Sequence, residues 1–288
     1  MTAEKKKTLF RVVLYTVLAY APPFVLIPAF GYMKDTTASQ LSLLLICFAP
    51  MLANILTRLI TREGCKDLYL MPGKGHGHRT LLFYALALLP VIACTVGVIC
   101  AFYQAAENKA VADTLRFLWE KDRTMTVTSF IQAVTFCLPL SFLYFGEEFG
   151  WRGYLTPKLE QLMPRPAALV VSGIIWGLWH APMTWNGHNF GKDYNFFPWA
   201  GMLVMCVFCI LVGCYFSYLQ EKTNSVYPAS IAHALNNNIT GTVTGIMAAA
   251  NPALMPADLF PFTVTAMIPM AVTGAVFMVL LLMGKKKA

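Results

Sequence analysis

The hydrophobic positions of this chain run in long blocks separated by short polar stretches, with neither the two-residue alternation of a half-buried strand nor the narrow apolar stripe of a water-facing helix. The blocks fall at 9–32, 38–60, 80–103, 126–155, 166–186, 197–219, 228–250 and 262–284. At 1.5 Å per residue, about 20 apolar residues cross a hydrocarbon core of about 30 Å. The pattern therefore predicts an all-α polytopic membrane protein with about eight transmembrane helices, folded as a single integral membrane domain over 1–288. Two connections are more than turns. Segment 104–125, balanced in charge, predicts a short surface helix, and 251–261, with Pro252, Pro256 and Pro261, is not helical throughout.

Composition agrees: 57% hydrophobic and 12% charged residues, with a mean hydropathy of +0.58, exclude an ordinary soluble domain. The cations then orient the bundle. With a cytoplasmic N-terminus, the inside segments carry Lys5, Lys6, Lys7, Arg11, Arg58, Arg62, Lys66, Lys74, Arg79, Arg152, Lys158, Arg165, Lys222, Lys285, Lys286 and Lys287. The outside keeps Lys34, Lys109, Arg116, Lys121, Arg123 and Lys192. This asymmetry predicts both termini in the cytoplasm, and the expected location is a bacterial plasma membrane. The net charge of +8 is scattered over helix ends, which gives no basic face for nucleic acid and makes membrane lipids the expected partner. Residues 5–11 begin the first block as a signal peptide would, but the apolar stretch is too long and lacks a small-x-small cleavage site, so a retained anchor is expected. Oligomeric state is not encoded in these patterns.

Seven of the eight cysteines fall in apolar blocks and Cys65 in a loop. Cys206 and Cys209 form a C-x-x-C, read here as small packing residues on one helix face. His76 and His78 lie in a glycine-rich loop at 61–79 and read as solvated.

The chemistry lies in polar groups inside the apolar blocks, where an unpartnered ionisable side chain costs several kcal/mol and a functional role is the default reading. Glu147 and Glu148 sit in the fourth block with Arg152, and Glu148 and Arg152 are an i, i+4 pair on one helix face, which leaves Glu147 available. Pro139 can kink that helix, which is expected to end near Leu155 before the polar stretch from Thr156 to Glu160. His180 follows Trp176 by four residues in the fifth block, and His233 and Asn237 are i, i+4 in the seventh, flanked by Asn236 and Asn238. Counting from the expected cytoplasmic ends, Glu147 lies about 12 Å deep, His233 about 8 Å, Asn237 about 14 Å and His180 about 21 Å. The four are thus expected to share one layer on the cytoplasmic half of the membrane, where they would form a hydrolytic site. His188, in an outside loop, is given no role.

The string Glu147-Glu148-Phe149-Gly150-Trp151-Arg152 resembles the E-E-x-x-x-R motif of the CPBP family, the CAAX proteases and bacteriocin-processing enzymes also called Abi proteins, which includes the type II CAAX prenyl endopeptidases. Trp176-x-x-x-His180 is similar to the family's F-x-x-x-H motif, with Trp176 replacing the usual phenylalanine, and His233-x-x-x-Asn237 is similar to its H-x-x-x-N motif. The resemblance covers about 126–240 and implies an all-helical, eight-span intramembrane endopeptidase whose site opens toward the cytoplasm. It implies Glu147 as the water-activating base, His180 and His233 as the groups holding water or a metal, Asn237 as an oxyanion donor, and Glu148 and Arg152 as a supporting pair. The substrate class implied is a membrane-associated peptide or protein.

Zinc is compatible with Glu147, His180 and His233 as three ligands and an open fourth position. A metal-free glutamate mechanism is equally compatible. Two other functions use the same residues: a non-catalytic chaperone or immunity protein, and a transporter, which would call for inverted repeats that the chain does not show.

Overall fold

The computed structural model describes residues 1–71 and 79–284, so His76 and His78 lie outside the described residues. Among the described residues twelve α-helices follow one another: α1 (Ala3–Phe30), α2 (Thr37–Ile60), α3 (Arg79–Leu86), α4 (Leu89–Ala105), α5 (Asn108–Glu120), α6 (Arg123–Gly150), α7 (Thr156–Leu162), α8 (Arg165–Trp179), α9 (Ala181–Trp185), α10 (Trp199–Thr223), α11 (Tyr227–Ala250) and α12 (Leu259–Met283). The fold is all-α. The expected surface helix is α5, and the proline-rich connection holds only a single 3-10 turn, Pro252–Leu254.

Every expected block is helical, and among the described residues six helices are long and apolar enough to cross a membrane. The two shortfalls are α8, at 15 residues, and α11, whose 24 residues include His233 and three consecutive asparagines. α8 is apolar but short and ends just before His180, whereas in α11 His233 and the asparagines stand where apolar residues would identify a span.

Cross-connections define the two ends of the bundle. Arg11 pairs with Glu63 at 3.3 Å, Thr8 donates to Gln161, and Arg165 donates to the Leu281 carbonyl and pairs with Glu221. The start of α1, the ends of α2, α7, α10 and α12, and the start of α8 therefore share a proximal end. At the distal end Tyr32 bonds His188, and Thr263 donates to the Asn189 carbonyl.

Glycine seams bring the site helices together. A Cβ on Gly146 would meet the Cys47 carbonyl oxygen at 2.7 Å and one on Gly150 would meet Pro50 at 2.4 Å, so α6 touches the α2 backbone. Gly173 and Gly177 do the same for α8 against Ile210 and Cys206 of α10. Small residues four apart on one face permit this approach where no hydrophobic effect drives helices together.

The glutamate helix does not stop at Leu155. It passes through a π turn, Trp151–Leu155, in which Thr156 N–H bonds Trp151 O five residues back, and continues to Leu162 despite the polar composition of that stretch. Glu147 consequently lies 15 residues from the helix end, about 22 Å at 1.5 Å per residue, not the shallow position counted from Leu155. The wider turn also suits Pro157, which has no N–H to donate. Just before the turn, the Phe149 carbonyl takes a hydrogen bond from Asn54 Nδ2 at 2.9 Å, and Asn54 Oδ1 accepts from Arg58 Nε at 2.8 Å. Asn54→Ala leaves both groups without those partners in a buried place, and should lower stability by about 1–3 kcal/mol, read as an earlier unfolding midpoint in detergent.

Candidate active site

Four of the residues singled out in the sequence, Glu147, Arg152, His180 and His233, meet around a fifth, Trp176. Trp176 of α8 donates its Nε1–H to Glu147 Oε2 at 2.9 Å, and its backbone carbonyl accepts from His180 Nδ1 at 2.9 Å. Its ring lies 5.9 Å from His180 and 5.4 Å from His233, centroid to centroid. The Arg152 guanidinium stacks on it at 4.0 Å and lies 5.1 Å from Phe216. Tryptophan in place of phenylalanine thus adds more than bulk: it supplies the N–H that fixes the Glu147 carboxylate.

Glu148 has a different task. It is fully buried, and its Oε1 accepts from both Arg152 Nη1 at 3.0 Å and His233 Nδ1 at 2.8 Å. The expected Glu148–Arg152 pair forms, and the histidine joins it. Gly213 leaves room for this arrangement, since a Cβ there would stand 2.9 Å from Arg152 Nη2.

These bonds fix both histidine tautomers. A carbonyl only accepts, so His180 holds its proton on Nδ1, and the carboxylate does the same for neutral His233. Each Nε2 is left with a bare lone pair. The rings are held by aromatic walls: His233 by Tyr144 at 4.6 Å and Phe216 at 5.3 Å, His180 by Trp179 at 4.9 Å.

A cavity of about 430 Å³ opens onto Tyr144, Trp176, His180, His233 and Asn237. Asn237 sits one turn beyond His233 and is exposed; its Oδ1 accepts from Asn236 Nδ2 at 2.8 Å, which turns the donor side of the amide to other partners. Glu147 is not on the cavity wall but behind Trp176. Among the described residues no three His, Cys, Asp or Glu side chains stand together in a way that could hold a metal ion. The set of Glu147, His180 and His233 therefore does not fit a three-ligand zinc site in this geometry, and no chemical step is routed through zinc. Cys209 lines the same cavity, and Cys206 and Cys209 are both free thiols.

One cavity residue had no role in the sequence reading. His188 lies parallel to His180, centroids 6.5 Å apart and planes within 5°, with Nδ1 bonded to Tyr32. Its loop is shaped by left-handed backbone at Gly187, Asn189 and Gly191 and pinned by His188 N–H to the Met183 carbonyl. The Asn-Gly turn before it was legible in the sequence; its docking on Tyr32, just after α1, and on Thr263 of α12 was not. Burial pushes the His188 pKa down from 6.5 to about 4. Between those values the unfolded chain binds a proton that the folded chain refuses, so this residue makes stability fall as pH drops from about 6.5 to about 4. In His188→Gln the unfolding midpoint should vary less with pH across that window than in the parent.

No curated protein matches the chain. A family model described as type II CAAX prenyl endopeptidase, Rce1-like, matches residues 127–239, a stretch that begins in α6 and ends in α11. The match encloses all three motifs, so the stretch from α6 to α11 that carries them is similar to that family.

Proposed function

We propose that this protein is an intramembrane endopeptidase of the CAAX type, hydrolysing a peptide bond in a membrane-associated peptide or protein. The observation that carries the reading is the meeting of three sequence motifs around Trp176, with two histidine Nε2 lone pairs beside one cavity. A water molecule sits between His180 and His233, donating one O–H to a histidine Nε2 and leaving the other free. Glu147 takes its proton, the hydroxide attacks the scissile carbonyl, and the proton passes to the leaving amine as the tetrahedral intermediate collapses. Trp176 both lines the cavity and holds Glu147, so it is the side chain that must yield for the carboxylate to reach the water. Asn237 donates to the oxyanion. Glu148 and Arg152 position His233 and touch no substrate.

A donor to an oxyanion is worth about 2.7–4 kcal/mol, or about 10²–10³ in turnover. Asn237→Ala should therefore slow cleavage by that factor with an unchanged unfolding midpoint, because Asn237 is exposed and its bonds lie at the cavity edge. Cleavage at the wild-type rate would remove Asn237 from the mechanism.

A second reading rests on a specific contact. His233 lines the cavity directly and is oriented by Glu148 at 2.8 Å, as a general-base histidine is oriented by a carboxylate, whereas Glu147 stands behind Trp176. If His233 is the base, Glu147→Gln retains activity and Glu148→Gln loses it.

A further inference from the structure

The resemblance implies a site open to the cytoplasm, but the shape of the cavity and the distribution of charge point the other way. From His233 the wall follows α11 through Asn237 and Gly241 toward its C-terminal half, and ends at His188, Asn189 and Thr263. These last three belong to the distal end, where the loop after α9 bonds Tyr32 and meets the first turns of α12. The cavity thus runs from mid-bundle away from the end that holds the start of α1 and the end of α12.

The two ends differ sharply in charge. The distal connections hold six cations, Lys34, Lys109, Arg116, Lys121, Arg123 and Lys192, against seven acids, Asp35, Glu107, Asp113, Glu120, Asp122, Asp193 and Asp258. Of the other sixteen cations, the twelve that fall among the described residues belong to the proximal half. Positive residues in short loops stay on the cytoplasmic side during insertion, so the distal end is the outer face. Wall and mouth suit a peptide more than an ion: the cavity mixes aromatic and methionine surface with His188, Asn189 and Thr263 toward the distal end, and among the described residues no carboxylate lines it.

We infer that the cavity opens on the outer face of the membrane, and that the substrate is a peptide segment presented from that side, an exported peptide or the outer portion of a membrane protein, rather than a cytoplasmic tail. The inference rests on the endopeptidase reading only for the word substrate; the direction of access stands on the geometry and the charges.

The test is labelling of the full chain in intact cells with a sulfonated maleimide that does not cross membranes. Lys192→Cys marks the distal surface and Thr263→Cys the cavity mouth, both in a Cys65→Ser background, while Cys65 of the parent, exposed in the connection after α2, marks the proximal end. The expected result is labelling of Lys192→Cys and Thr263→Cys in intact cells and of Cys65 only after permeabilisation. Labelling of Cys65 with protection of Lys192→Cys would invert the bundle and overturn the inference. Labelling of Lys192→Cys without Thr263→Cys, when Thr263→Cys reacts after permeabilisation, would place the mouth elsewhere and overturn it too. Should Thr263→Cys fail to fold, Lys192→Cys and Cys65 still decide the orientation. Loss of the endopeptidase reading would show separately, as unchanged cleavage in Glu147→Gln, and would leave the labelling result as it stands.

Discussion

Glu147→Gln is expected to abolish peptide-bond hydrolysis while leaving the protein folded. The amide oxygen still accepts the Trp176 indole N–H that Glu147 Oε2 accepts at 2.9 Å, and the side-chain volume hardly changes, so the packing of α6 against α8 is kept. What disappears is basicity. A positioned general base contributes about 10²–10⁴ in rate, equivalent to about 2.7–5.4 kcal/mol of barrier at 1.36 kcal/mol per tenfold. The check is product formation by purified protein in lipid, with the unfolding midpoint measured on the same preparation. Retained cleavage would move the base to His233 and Glu148. Retained cellular function without any cleavage by the parent would favour a non-catalytic membrane chaperone.

The largest loss of stability is expected from Arg152→Leu. Glu148 and Arg152 are both buried, with 0% and 3% of their side-chain surface exposed, and the same carboxylate oxygen also takes the His233 bond. Removing the guanidinium leaves a carboxylate whose second oxygen already lacks a partner among the described residues. Breaking a buried pair from one side costs about 3–5 kcal/mol, because the remaining charge is uncompensated. Arg152 also fills the space between Trp176 and Phe216, so its loss opens a void beside the hub. Denaturant unfolding in detergent should show this shift. The double variant Arg152→Leu with Glu148→Gln should recover part of it, since no charge is then stranded. Equal destabilisation in the single and double variants would mean that packing, not charge, carries the effect.

The helical blocks were legible because bilayer thickness leaves few alternatives to a helix of about 20 apolar residues. The Glu148–Arg152 contact was legible from helical spacing alone, and it forms as the i, i+4 rule requires. The end of the glutamate helix was misplaced because a π turn has no composition signature: Thr156, Lys158 and Glu160 read as a loop, but α7 packs against α1 and α8, and Lys158 pairs with Glu63. Three-dimensional partners were harder still. Nothing in the spacing of Glu147, Trp176 and His188 says that an indole N–H reaches the first, or that Tyr32 brings the last to the cavity. Those contacts depend on the glycine seams between α2, α6, α8 and α10, which set helix separation and are visible only once the helices are paired.

The claim that these residues form a hydrolytic site is tested most directly by mapping protein and peptide N-termini in membranes of cells producing either the parent chain or Glu147→Gln at equal levels. A hydrolytic site yields a set of new N-termini, arising from membrane-associated substrates, that is present with the parent and missing with the variant. Identical N-termini in the two membranes would contradict it.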